Sequence, residues 1–102
     1  MRLEWTEPAA NALQGIHDYI AKDQPFYAAR FVDRLTVAAE KLREFPQLGR
    51  IVPEAARTEI RELIFQGYRI IYRVKPGHIQ ILTVVHGSRD LRRYSPKPWE
   101  VS

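Results

Sequence analysis

Two segments of alternating hydrophobicity, joined by a proline–glycine turn, constrain this chain more than any other feature. The first segment, Tyr68–Val74, alternates between an apolar face and a face that carries two arginines. The second, Ile79–His86, alternates as well and ends in a histidine. Lys75-Pro76-Gly77-His78 lies between them, with proline fixing φ at one central turn position and glycine supplying positive φ at the next. The pattern predicts an antiparallel β-hairpin.

The register of this hairpin follows from the turn. A four-residue loop predicts the pairs Val74 with Ile79, Ile71 with Leu82 and Arg69 with Val84. His86 then becomes a diagonal neighbour of Arg69, within reach of a long side chain. One face of the sheet would be apolar, and the other would carry Arg69, Arg73 and His86 as a candidate site.

The N-terminal half predicts a short strand and two helices. Arg2–Trp5 alternates, and Thr6 and Pro8 are typical of a helix start, with Gly15 expected at a close approach to the second helix. The second helix is predicted from Asp23 or Gln24 onwards. The two apolar stripes are Ala9, Leu13, Ile16 and Ile20, and then Ala28, Phe31, Val32, Leu35, Ala39 and Leu42.

The remaining segments complete an α+β prediction. Residues 46–58 contain prolines and a glycine and are predicted to form a loop, followed by a strand over 59–65. The predicted order is β-α-α-β-β-β, with the helical hairpin packed on an antiparallel meander. At 102 residues the chain is predicted to form a single domain. Residues 87–102 are predicted to be a basic tail without regular structure.

Composition narrows the possible partners. Lys plus Arg number 16 and Asp plus Glu 12, a net charge of +4 that suits either nucleic acid or an acidic protein segment. The absence of cysteine excludes disulfides and thiol chemistry. His17 and His78 have no partners at metal-ligand spacing, so neither a metal nor a cofactor is expected. A charged N-terminus and the lack of a long apolar run predict a cytoplasmic protein without membrane contact.

The order of these elements resembles that of the RelE/ParE superfamily of type II toxin–antitoxin toxins. Two sequence motifs carry the resemblance: Tyr68-Arg69-Ile70-Ile71-Tyr72-Arg73-Val74 and His86-Gly87-Ser88-Arg89-Asp90. The second motif is more similar to the ParE branch than to the RelE branch. That resemblance implies a toxin that inhibits DNA gyrase by stabilising its cleaved-DNA state, without hydrolytic chemistry. It also implies a cognate antitoxin that wraps the toxin in a hetero-oligomer.

Two alternatives remain open. A RelE-like toxin would cut messenger RNA on the ribosome, and Arg69 and His86 resemble the arginine and histidine of that branch. Metal-free RNA cleavage needs a base, an acid and cations around the phosphate. Gly87 and the displaced Tyr94 depart from the RelE pattern. The second alternative is a binding module that keeps the fold without toxicity.

The candidate site residues are cationic or titratable side chains of the strands and tail. Arg69 and His86 would be catalytic only in a nuclease, and Arg61 could lie on either face because the length of the Gln66-Gly67 turn is open. The full set of predicted binding residues is Arg61, Arg69, Arg73, His86, Arg89, Arg92 and Arg93. The alternative for Arg69 and Arg73 is that they are solvated or paired with Glu62 on an exposed sheet face. Core and antitoxin contacts are expected for the aromatic cluster of Tyr19, Phe26, Tyr27 and Phe31.

Overall fold

The computed structural model describes residues 1–100 and contains two helices on one face of a five-stranded mixed sheet. The helices and strands are β1 (Arg2–Trp5), α1 (Glu7–Ala21), α2 (Pro25–Glu40), β2 (Arg50–Ile51), β3 (Ile60–Phe65), β4 (Tyr68–Lys75) and β5 (His78–His86). Short 3₁₀ turns occupy Lys41–Arg43, Leu91–Arg93 and Pro98–Glu100. The predicted α+β fold is confirmed.

The strand order is β1-β5-β4-β3-β2. β1 pairs in parallel with β5, and the other neighbours are antiparallel. The helical hairpin lies between β1 and the meander in the chain, and it packs on the sheet. β2 lies in the segment that was predicted as a loop. The sequence did not predict it, because a two-residue strand is too short to produce an alternating pattern.

Both helices start where the sequence predicts. The Ala9 amide donates to Thr6 Oγ1 at 3.3 Å, and the same hydroxyl donates to the Ile81 carbonyl at 2.7 Å, which ties the start of α1 to β5. Gln24 precedes α2 without a side-chain capping bond. The expected close approach at Gly15 is wrong, because a Cβ there would meet no atom within 4 Å.

Hydrophobic cores lie on both faces of the sheet. The first, between helices and sheet, contains most of the predicted stripes, including Ala9, Phe31 and Leu35, packed on Ile70 and Tyr72, while Val32 and Ala28 lie outside it. The second, on the opposite face, consists of Val52, Ile60, Ile71, Leu82, Val85, Leu91 and Trp99. The prediction of an unstructured tail is therefore wrong as far as residue 100. Prolines exclude a long helix there, but Leu91 and Trp99 still anchor the segment on the sheet.

A β-bulge changes the predicted register. Val74 pairs with Ile79 as predicted, but the register shifts at Ile71/Tyr72, where Leu82 has no partner. Beyond the shift the observed pairs are Ile71 with Thr83, Arg69 with Val85 and Tyr68 with His86. The predicted pairs of Ile71 and Arg69 are wrong. One extra residue reverses the alternation of faces, so His86 and Arg69 lie on opposite faces of the sheet.

Candidate functional site

Arg69 is the centre of a buried ion network on the face opposite the helices. Its side chain is only 7% exposed. Nε donates to Glu62, while Nη1 and Nη2 donate to the two Glu54 carboxylate oxygens at 3.0 and 2.8 Å. Nη1 also donates to the Arg89 carbonyl at 3.1 Å. Arg69 was predicted to lie on an open binding face, but its side chain is buried and hydrogen-bonded to two carboxylates.

The two carboxylates of the network are held by guanidinium groups. Hydrogen bonding from Arg69 lowers the pKa of Glu54 to about 2, and the same bond raises the pKa of Arg69 above its ordinary value. Glu62 is fully buried and accepts from Nε of both Arg50 and Arg69. A carboxylate without solvent is tolerated only when paired and hydrogen-bonded, and these two arginines meet that requirement.

The network also holds the chain after β5. Glu54 Oε2 accepts from the Leu91 amide at 3.2 Å, in addition to the bond between Arg69 and the Arg89 carbonyl. The Leu91 side chain is completely buried in the second core. Residues 89–91 are thus fixed by two polar contacts and one apolar anchor.

The arginines of this segment point outwards. Arg92 is paired with Asp90 through two bonds of 3.0 Å, which lower the pKa of Asp90. Arg89 and Arg93 are exposed, and neither side chain makes a hydrogen bond or ion pair within residues 1–100. The segment therefore presents two uncommitted guanidinium groups.

Arg89 borders three clefts. A cleft of about 550 Å³ separates it from Arg50, Pro53 and Ile64, with Arg69 and Glu54 in its wall. A second cleft, of about 310 Å³, lies between α1 and the segment after β5 and is bordered by Gly15, Tyr19, Tyr68, His86 and Tyr94. A third cleft, of about 590 Å³, is bordered by Arg89, Arg93 and Tyr94. Arg89 is the cation common to all three.

His86 is exposed at the end of β5. Its ring packs edge-on against Tyr68, with centroids 5.4 Å apart. Nδ1 lies 3.2 Å from the Ser88 amide and 2.8 Å from the Ser88 hydroxyl. Because an amide can only donate, Nδ1 accepts, and the neutral ring carries its hydrogen on Nε2. The predicted grouping of His86 with Arg69 and Arg73 is wrong, since the bulge places His86 on the helix side.

The other two predicted strand arginines lie away from Arg89. Arg61 is opposite Tyr72 in the ladder, and its Nη1 donates to the Gly49 carbonyl at 2.9 Å. Arg73 donates to the Trp99 carbonyl beneath the C-terminal segment. The structure thus brings together Arg69, Arg89 and Arg92 from the predicted set. The proposed binding roles of all seven residues stay predictions.

Sequence reasoning missed Arg50 and Glu54 as members of the network, and it considered Glu62 only as a partner of Arg69 or Arg73 on an exposed sheet face. Glu54 and Arg50 come from the segment predicted as a loop, where no periodicity assigns a direction to a side chain. Glu62 belongs to a strand, and an alternating polar residue is normally read as solvent-exposed. The useful signal was the isolated acidic residue among the apolar and basic ones of β3.

The aromatic cluster divides into two parts. Phe31 is buried and packs against Phe65 and Tyr68, with ring centroids 5.6 and 5.5 Å apart. Tyr19 and Phe26 are 71% and 87% exposed at the tip of the helical hairpin. The core prediction is confirmed for Phe31, and the others form an exposed aromatic surface.

Within residues 1–100, no group of three or more His, Asp or Glu side chains is arranged to hold a metal ion. In the same range, no helix has both the length and the hydropathy needed to cross a membrane.

Comparison with known proteins gives a consistent result. Residues 3–91 match the family model described as ParE toxin of type II toxin–antitoxin system, parDE. Toxin RelE2 of Caulobacter vibrioides is 37% identical over 86 residues, covering 83% of this chain and 93% of the relative. The putative toxin Y4kP of Sinorhizobium fredii is 40% identical over 91 residues, covering 87% of this chain and 91% of the relative. A structure titled Chromosomal ParDE TA system from P. aeruginosa superposes with a TM-score of 0.73 at 27% identity, covering 84% of this chain and 95% of that one.

Proposed function

The chain belongs to the family of ParE toxins of type II toxin–antitoxin systems, and on this premise we propose that it arrests growth by poisoning DNA gyrase. In this proposal the protein acts by binding, in the cytoplasm, and performs no hydrolysis. A cognate antitoxin neutralises it.

The separation of Arg69 from His86 carries the preference for gyrase poisoning over RNA cleavage. A metal-independent nuclease needs its titrating group and its cation on the same phosphate. Here His86 lies on the helix side, and Arg69 lies on the other face with its guanidinium bound to Glu54 and Glu62. These two side chains cannot converge on one phosphate without loss of the buried network.

The surface of the helical hairpin supports an antitoxin partner. Tyr19, Phe26 and Tyr27 are exposed there, and large exposed aromatics are typical of protein contacts. The similar Pseudomonas structure is described as a ParDE toxin–antitoxin system. We propose an antitoxin whose apolar residues cover these aromatics and whose acidic residues meet the arginines. A segment that folds on binding suits such a wide surface.

A second candidate is a ribosome-dependent messenger RNA endonuclease. The relative named Toxin RelE2 and the exposure of His86 favour it. In that function His86 would act as the acid or base and Arg69 as the cation, so His86→Ala would abolish toxicity. A non-toxic binding module would leave growth unchanged.

Controlled expression in a bacterial host distinguishes the three. The gyrase proposal predicts growth arrest with double-strand breaks in the chromosome and intact transcripts during the first minutes after induction. Primer extension on translated messages is the second readout. Cut messages without DNA breaks would replace the proposal with the nuclease, and undisturbed growth at a confirmed protein level would replace it with the binding module.

A further inference from the structure

The Arg69 network joins distant parts of the chain at one guanidinium. Glu54 comes from the turn after β2, Glu62 from β3, Arg69 from β4, and the Arg89 carbonyl from the segment after β5. Five donors in a rigid plane make such a junction possible, and a lysine ammonium cannot reproduce it. Arg69 is therefore placed to set the position of the C-terminal segment relative to the sheet.

Stability alone does not explain a buried network of this kind. Replacing buried ion pairs with apolar groups of similar volume is often neutral or stabilising. The polar network additionally determines the orientation of the backbone that it binds. Arg69 binds one specific carbonyl, and Glu54 binds one specific amide, so the backbone of residues 89–91 has a single orientation.

The fixed orientation aims Arg89 away from the sheet. Its carbonyl accepts from Arg69, while its side chain is exposed among the three clefts without a hydrogen bond or ion pair in the described part of the chain. Arg92, three residues further along the chain, is already paired with Asp90. Arg93 borders only one of the three clefts and lies close enough to Asp90 to lower the pKa of that carboxyl, whereas Arg89 borders all three. Arg89 is consequently the guanidinium most available to a partner.

The charge around Arg89 favours a protein carboxylate over nucleic acid. The charged groups that line the clefts on the tail side of Arg89, and the wall behind them, are Arg50, Arg69, Arg89, Arg92, Arg93, Glu54, Glu62 and Asp90. Five cations against three anions leave a surplus of two positive charges, which is few for a duplex-binding surface. Binding to a duplex normally neutralises several phosphates at once, whereas one guanidinium suits one carboxylate.

We propose that Glu54 and Arg69 are positioning residues that hold the segment after β5 so that Arg89 binds a carboxylate on the protein target. This inference rests on the proposed function, in which that target is gyrase. It gives Arg69 no contact with the target.

The test combines a structural and a functional readout on the full chain. The variants are Glu54→Gln, Arg69→Lys, the double variant and Arg89→Ala. Matched controls are Arg57→Lys and Glu59→Gln, because Arg57 and Glu59 form an exposed ion pair away from the segment. Hydrogen exchange of the Leu91 amide reports the position of the segment, and exchange of Ile70 and Tyr72 reports the fold. Trapping of gyrase on cleaved plasmid reports function.

We expect Glu54→Gln and Arg69→Lys each to speed Leu91 exchange by about tenfold, the size of one lost charged hydrogen bond, with Ile70 and Tyr72 unchanged. Each should weaken trapping by a similar factor, and the double variant should be no worse than either single variant, because both act through one network. Arg89→Ala should weaken trapping about tenfold or more while Leu91 exchange stays as in the wild type.

Three results would overturn the inference. Weaker trapping by Arg69→Lys with unchanged Leu91 exchange would make Arg69 a direct contact. Faster exchange with full trapping would remove the segment from the interface. Binding of wild-type protein to random duplex DNA, with a salt dependence that Arg89→Ala reduces, would replace the carboxylate with phosphate. If the wild type traps no gyrase, the proposed function fails, and the exchange data still decide whether the network positions the segment.

Discussion

The Tyr68 and His86 rings meet edge-on at 5.4 Å across the β4–β5 ladder. This contact places His86 on the helix side of the sheet, while Arg69, the next residue along β4, faces the second core. A single bulge thereby separates two side chains that a regular hairpin would bring together. The separation makes a binding function more consistent with this surface than hydrolysis.

The first prediction concerns His86. We expect His86→Ala to retain growth arrest, because the proposed function requires no proton transfer. The lost ring contact with Tyr68 should reduce the free energy of unfolding by about 0.5 to 1.5 kcal/mol. Growth curves at matched protein levels and urea unfolding measure the two effects. Complete loss of toxicity by a folded variant would favour the nuclease.

The second prediction compares two glycines. A Cβ at Gly49 would lie 2.3 Å from the Glu62 carbonyl oxygen, so Gly49→Ala must push β2 away from β3. We expect a loss of about 1 to 3 kcal/mol in the free energy of unfolding. Gly15→Ala, in open space within α1, should instead stabilise the protein by about 0.5 to 1 kcal/mol. Equal effects in urea unfolding would contradict the packing described around Gly49.

The third prediction concerns acid stability. The pKa of Glu54 is about 2 in the folded protein, below its ordinary value of 4.5. A lowered pKa stabilises the fold above pH 4.5, and that stabilisation is lost as the pH falls towards 2. The linked free energy is on the order of 3 kcal/mol. Glu54→Gln should flatten the dependence of the unfolding free energy on pH between 4.5 and 2. Because Glu59 is exposed, Glu59→Gln should retain most of that pH dependence. An unchanged slope in Glu54→Gln would contradict the ion network.

The fourth prediction concerns the anchor of the C-terminal segment. Leu91 is fully buried in the second core, so Leu91→Ala should cost about 2 to 5 kcal/mol in the free energy of unfolding. Val37 is 61% exposed, and Val37→Ala should change stability by less than about 0.5 kcal/mol. Denaturant unfolding of both variants is the measurement. A small effect at Leu91 would mean that the segment is not part of the folded core.

The sequence predicted the elements that carry a periodic signal. The stripes of α1 and α2 and the turn at Pro76-Gly77 follow from local chemistry, and all are present. The bulge was not predictable, because the run Ile81–Val85 is apolar on both faces apart from Thr83. An extra residue there leaves no polar side chain in the core to reveal the shift.

The candidate site was also predicted only in part, because some of its members lie in segments without a periodic pattern. Arg69 and Arg89 were identified by their type and by the resemblance of their neighbourhood to a family. Their relationship depends on Glu54 and on the burial of Leu91, which are single residues in segments without periodicity. Contacts between distant parts of a chain leave no local pattern, so the role of Arg69 as a junction became visible only in the fold.

Purified protein, DNA gyrase and supercoiled plasmid give the direct test of gyrase poisoning, with linear cleaved DNA after denaturation as the readout. We expect wild-type protein and His86→Ala both to accumulate cleaved complexes, and the cognate antitoxin to prevent this. No cleaved DNA at a stoichiometric excess of folded protein would contradict gyrase poisoning. Cutting of messages on translating ribosomes, abolished by His86→Ala, would establish the nuclease instead.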